Sequence, residues 1–233
     1  MNTTEPVLGK LLTYSDAYQL LSMFLRLPTP EMVDGLVDGA IKQDILDIFE
    51  ELGVEEANLR EITGPLNCYV EASVEKLQLL SALRQEYTRL FNHPDNPAVH
   101  IYEALFLWDL KGEKDEVKYP KPRLFVSPAA MDAERLYKRA NLMPSQAANE
   151  SADFFATQLE FMMFVYAKLA EALKNDDKAQ YKNLELILEE FSKLHLHRWA
   201  KAFFEKCEAS SKNEVMTVFW KTGTLFFQRF SPN

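Results

Sequence analysis

Apolar side chains recur every three or four residues through most of this chain, and glycine, with only 7 residues in 233, hardly interrupts them. That spacing puts a continuous apolar stripe on one side of a helix, whereas strands need a two-residue period and frequent turns. The clearest case is the stretch from about Asn213 to Phe230, where Val215, Val218, Phe219, Thr222, Leu225 and Phe226 fall on one face. With 47% hydrophobic and 12% aromatic residues the chain has enough apolar material for one sizeable core. The expected fold is all-α: one helical bundle domain spanning residues 1–233, with about nine or ten helices.

Capping chemistry divides the pattern. Tyr14, Tyr18, Leu21 and Leu25 mark a first helix from about Tyr14 to Leu27, stopped by Pro28. Thr29 can cap the next, with Pro30 at its first position and Glu31 at its positive end. Ile41, Ile45, Ile48, Phe49 and Leu52 predict a third, ending near Gly53, and Leu66 to Phe91 reads as one long helix. Asn92 to Pro97 is a loop on turn chemistry, while Ile101 to Leu110 suits either a short helix or a buried extended stretch. Residues 111–127, with a charge run and Pro120 and Pro122, read as a surface loop or hinge. Ser127-Pro128 opens a helix to about Ala140, Met143 to Ala152 is a connection, and helices follow over about Ala152–Lys174 and Lys178–Glu208, the latter broken near His195.

Composition also narrows function. A net charge of −9 disfavours nucleic-acid binding, which needs a concentrated basic face, and suits a basic partner or simple solubility. The longest apolar run, Phe161 to Ala167, is far short of the roughly 20 residues that span a bilayer, so stable membrane insertion is not expected. Met1 to Lys10 lacks the pattern of a secretory signal, and Cys68 and Cys207 stand alone, which together predict a reducing, cytoplasmic setting.

No catalytic or metal constellation is legible. His195 and His197 lie about 200° apart on a helix and cannot easily share an ion. His93 and His100 have no nucleophile partner, and neither a phosphate-binding glycine loop nor a G-x-S-x-G elbow occurs. The chain is therefore expected to be no enzyme, to need no cofactor and no metal, and to act through a surface or groove.

Several separated blocks resemble the TorD/DmsD-type redox-enzyme maturation chaperones, which have nitrate-reductase assembly relatives. The first is Tyr14-Ser-Asp-Ala-Tyr-Gln-Leu-Leu-Ser-Met-Phe, followed by Pro28 and Pro30. A second is Tyr87-Thr-Arg-Leu-Phe91, a loop ending at Pro97, and Tyr102-Glu-Ala-Leu-Phe106, with Ala104 where the family has serine. The third, Glu150-Ser-Ala-Asp-Phe-Phe-Ala-Thr-Gln-Leu-Glu-Phe-Met162, is similar to E-x-x-D-H-x-x-x-E-L-x-F-M, with Phe154 in place of the histidine and Gln158 in place of the glutamate. Downstream, Phe191 to Trp199 with Phe203 resembles the F-x-x-x-H-L-x-x-W-x-x-x-F helix, a pattern that packing explains.

The resemblance implies a cytoplasmic chaperone that binds the twin-arginine signal peptide, or the apoenzyme, of a molybdenum-containing oxidoreductase until its cofactor is inserted. The alternative is a helical scaffold that assembles a respiratory oxidoreductase without touching a leader. An apolar groove with acidic borders suits a leader that is basic and then apolar. Carried over by position, Tyr18, Leu90, Phe91, Pro97, Tyr102 and Phe154 form the apolar side, Glu103 and Asp153 face the basic residues, and Gln158 completes the set. Each has a structural counterpart: Tyr18 and Phe91 as core, Glu103 as a helix cap, Asp153 as a charge favouring a helix N-terminus. A monomer or a dimer exchanging helices is compatible with this reading.

Overall fold

The computed structural model describes residues 4–70, 75–94, 96–112, 121–123, 126–142 and 150–230. The described residues are all-α, with no strand and a single isolated bridge. In chain order the helices are α1 (Thr4–Phe24), α2 (Pro30–Val37), α3 (Ala40–Glu51), α4 (Glu56–Thr63), α5 (Asn67–Val70), α6 (Lys76–Tyr87), α7 (Glu103–Gly112), α8 (Pro128–Arg139), α9 (Phe155–Lys174), α10 (Lys178–Leu194), α11 (Ala200–Ser210) and α12 (Glu214–Arg229). The expected caps form as the side chains dictate. Thr29 Oγ1 accepts the Met32 N–H at 3.3 Å, and Ser127 Oγ accepts the Ala130 N–H at 3.1 Å, each with proline at the first helical position.

Three stretches depart from the sequence expectation. α1 starts ten residues earlier than Tyr14, at Thr4. Leu66 to Phe91 is not one helix: α5 ends at Val70, α6 starts only after Glu75, whose ψ of 97° is extended, and Leu77 in its first turn is 83% exposed. The apolar period there does not mark one buried face, so no packing gain holds a single helix together. Beyond Tyr87 the chain widens into a π turn over Thr88–Asn92. The freed carbonyls of Arg89 and Leu90 accept the N–H groups of Ala98 (3.4 Å) and Val99 (2.9 Å), which closes the proline loop. Most of 111–127, and 143–149 of the expected connection, lie outside the described residues.

The chain divides into two compact units, each assembled from separate segments. The first comprises Met1–Ser22, His100–Ala200 and Phe230–Asn233, and the second Met23–Val99 and Lys201–Arg229. The divisions thus fall at 22/23, 99/100, 200/201 and 229/230, and none lies within the 111–127 hinge expected from sequence.

In the first unit α9 is the central element, because its apolar residues occupy most of its circumference. Phe161 on α9 packs against Tyr137 of α8 (4.6 Å between ring centres) and Phe191 of α10 (4.7 Å). Tyr14 and Tyr18 stack on Tyr166, while Ser15 Oγ donates to the Met163 carbonyl, which holds the early part of α1 along α9. The second unit is built on aromatic contacts. Phe24 stacks on Phe219 at 4.0 Å, and Phe91 meets Phe203 and Trp220. Gly223 permits the closest approach: a Cβ there would sit 2.4 Å from the Phe204 ring. Glu86 secures the same unit, accepting both Arg89 N–H groups at 2.7 and 2.8 Å and the Lys212 N–H at 2.6 Å.

Candidate functional site

The polar heart of the first unit begins where two chain segments meet antiparallel. Tyr102 and Phe154 form the isolated bridge, with Glu103 N–H donating to the Asp153 carbonyl (3.0 Å) and Phe155 N–H to the Ile101 carbonyl (3.1 Å). This places the first turn of α7 beside the entry to α9. Asp153, with no exposed surface, caps α7 from outside its own segment: its Oδ2 accepts the Ala104 N–H at 3.1 Å, and Ser127 and Ser151 hydroxyls donate to the same carboxylate. A buried carboxylate is tolerable there because unpaired N–H groups and the helix dipole favour negative charge. Tyr137 closes the arrangement by donating its hydroxyl to the Ala152 carbonyl at 2.7 Å. Burial first, and then the charges of Glu103, Asp153 and Glu160, hold the Tyr137 phenol well above its ordinary value, so it stays a donor.

Next to this cap lies a second buried acid. Glu103 has no exposed surface, and its Oε2 accepts from Gln158 Nε2 (2.6 Å) and pairs with His195 Nδ1 (2.7 Å). On the other side of the ring, His195 Nε2 lies 3.3 Å from Asp132 Oδ2 without hydrogen-bond geometry. One imidazole, 2% exposed, is thus flanked by two carboxylates, and Phe191 covers it at 4.7 Å. Glu103 Oε1 accepts no hydrogen bond, and Arg198 Nη1 stands 3.8 Å away. Neither serine nor cysteine hydrogen-bonds His195 among the described residues, so the cluster lacks the nucleophile that a triad requires. No group of three or more metal-ligating side chains occurs among the described residues either.

Above the cluster opens a cleft of about 760 Å³. Leu107 and Trp108 of α7, Leu194 at the end of α10, and Pro122 and Pro128 give it apolar walls, and His195, Asp132, Lys111 and Arg198 supply its polar groups. The size and the mixture, apolar walls with a few placed polar groups, suit a binding site. α7 therefore does two jobs: its first turn anchors to Asp153 and Glu103, and its next turn presents Leu107 and Trp108.

The residues proposed from sequence fall on both units. Tyr18, Tyr102, Glu103, Asp153, Phe154 and Gln158 lie in the first; Leu90, Phe91 and Pro97 lie in the second. Tyr18, Leu90, Phe91 and Phe154 are buried, whereas Pro97 and Tyr102 are half-buried. The Phe154 and Tyr102 rings are 5.4 Å apart. The expected acidic border differs from what is found. Glu103 and Asp153 do not face solvent; each is fully buried and held by internal donors, because the α7 N-terminus, Gln158 and His195 supply what water would otherwise supply. Sequence reasoning missed His195, Asp132, Trp108 and Arg198. The only signal was the histidine in the helix resembling F-x-x-x-H-L-x-x-W, and its partner Glu103 is 92 residues away.

No curated protein and no solved structure matches the chain. A family model, described as the nitrate reductase delta subunit, matches residues 39–205, well over half of the chain. That span contains all of the Asp153 and Glu103 clusters and every residue of the cleft. The chain belongs to the nitrate reductase delta subunit family, a TorD-like family of redox-enzyme maturation chaperones.

Proposed function

We propose that this protein is a cytoplasmic maturation chaperone that binds the twin-arginine leader of a molybdenum oxidoreductase apoenzyme, and so delays export until the cofactor is inserted. The family match supports the client class. The observation that carries the binding role is the cleft on α7, where Leu107, Trp108 and Leu194 line a space large enough for several apolar side chains. A leader's apolar block is the part of the client that needs such a shelter from water. The chaperone itself does no chemistry in this reading.

The residue roles follow burial. Glu103, Asp153 and Gln158 hold α7 and the cleft wall in place, and Tyr18, Leu90, Phe91 and Phe154 serve as frame. Tyr102 keeps surface for direct contact in the first unit, and Pro97 separately in the second. Among the described residues no helix is long and apolar enough to cross a membrane.

Titration of a fluorescently labelled twin-arginine leader tests the proposal. Saturable binding is expected, weakened at least tenfold in Trp108→Ala, the loss of roughly 1.5 to 3 kcal/mol that a buried aromatic contact supplies. Unaltered affinity in Trp108→Ala and in Leu107→Ser would remove the cleft from the mechanism. A client subunit retained equally well after deletion of its leader would favour the scaffold reading instead.

A further inference from the structure

The cleft gathers basic side chains in a chain that is acidic overall. The protein carries −9 overall, yet Lys111 and Arg198 line the cleft, and Lys121 Nζ lies 5.9 Å from the centre of the Trp108 ring. The one acidic lining residue, Asp132, is already paired with Arg135 at 2.9 Å. Arg198 is held from behind: its Nη1 donates to the Leu194 carbonyl at 3.2 Å and stands near the buried Glu103 carboxylate, while half of the side chain remains exposed. An arginine oriented in this way presents its remaining N–H groups as a fork for a carboxylate. The first residues of α8, Pro128 and Ala129, add the positive end of a helix to the same space.

A bare anion does not exploit everything that faces the cleft. His195 is 2% exposed, lines the cleft, and leaves Nε2 without a hydrogen-bond partner, and the neighbouring Asp132 Oδ2 is a further acceptor. Nε2 is thus a hydrogen-bonding position inside the cleft that a polypeptide backbone, which carries both N–H and C=O groups, can fill. Apolar walls, two cations and a buried ring nitrogen together fit a peptide segment with one acidic side chain among apolar ones.

We infer that the cleft selects a client segment in which an aspartate or glutamate stands among apolar residues, its carboxylate held by Arg198 and Lys111, and that the leader's arginines remain outside the cleft. This rests on the client-binding reading above and adds a specificity rule to it.

The test uses three capped twelve-residue peptides of leucine, phenylalanine and alanine, identical except for a central aspartate, asparagine or lysine, titrated calorimetrically into the full chain. The aspartate peptide should bind about tenfold more tightly than the asparagine one, as expected for gaining a charge-assisted hydrogen bond, and the lysine peptide weakest. Arg198→Gln and Lys111→Gln should each bring the aspartate peptide's affinity down to that of the asparagine peptide. Lys111 is an exposed side chain, so its variant carries the test if Arg198→Gln fails to fold. Equal affinities, a preference for lysine, or no binding by any of the three overturns the inference. A complete twin-arginine leader is titrated in parallel. Leader binding without a preference among the capped peptides refutes the specificity rule alone, and a clear aspartate preference without leader binding refutes the leader reading alone.

Discussion

Gln158 donates to Glu103 Oε2 over 2.6 Å, and both side chains are sealed from solvent. Gln158→Glu replaces that donor with an acid and sets two carboxyl groups against each other. Two unit charges about 3 Å apart at an effective dielectric constant of about 20 repel by roughly 5 kcal/mol. Keeping a proton on one of them at pH 7 costs less, about 3.7 kcal/mol, since a free glutamate titrates near 4.3 and each pH unit is worth about 1.4 kcal/mol. The folded variant therefore retains one proton that the unfolded chain releases. With more protons bound in the native state, stability falls as pH rises above about 4.3, by about 1.4 kcal/mol per unit. Relative to the parent, the loss should be about 3 to 4 kcal/mol at pH 7 and only about 1 kcal/mol at pH 5. Urea unfolding of both proteins at pH 5, 6 and 7 measures this difference directly. Gln158→Met, which loses the donor without adding an acid, should show a loss independent of pH. A Gln158→Glu deficit of equal size at pH 5 and pH 7 would refute the buried two-acid reasoning.

Other positions give shorter tests. Gly223→Ala should destabilise by about 1 to 3 kcal/mol despite the better helix propensity of alanine, because the Phe204 ring 2.4 Å from the new Cβ is walled in by Phe203, Trp220 and Phe227. Gly64→Ala, right-handed in φ and ψ with nothing within 4 Å, should instead stabilise by about 0.4 to 1 kcal/mol; thermal melts of the pair decide whether contact or propensity governs. Asp153→Ala removes the α7 cap and should cost about 1 to 2 kcal/mol, read by urea unfolding, with weaker leader binding as α7 loosens. Burial alone would raise the Glu86 carboxyl, but hydrogen bonds from Arg89, the Lys212 N–H and Ser211 outweigh it and hold Glu86 below its usual range. Its contribution is present above the unfolded value near 4.3 and is lost as pH falls through the lower folded value. Glu86→Ala should therefore cost about 2 kcal/mol at pH 7, a gap that closes as the pH is lowered through 4 in acid titrations of both proteins.

Much of the local structure was legible in the residues themselves. Thr29 and Ser127 cap because a hydroxyl one residue ahead of a proline-led helix is placed to accept a free N–H. The break at His195 and the all-α class follow from short-range pattern, and the separated blocks around Phe91, Tyr102 and Asp153 pointed to the right family. Legibility failed where a residue's meaning depends on a distant partner. Leu66 to Phe91 has a helical period, yet with Leu77 exposed there is no common face to bury and the stretch divides. Glu103 and Asp153 read as surface acids because acids usually are; only the meeting of α7 with the α9 entry supplies donors enough to bury them. The cleft likewise joins Trp108, Asp132 and Arg198, which no spacing rule relates. Hydrogen-bonding range is a few ångströms in space and carries no memory of distance along the chain, so the sequence by itself determined helices and lineage, while tertiary packing alone decided which charges are buried, which are paired, and which residues line the cleft.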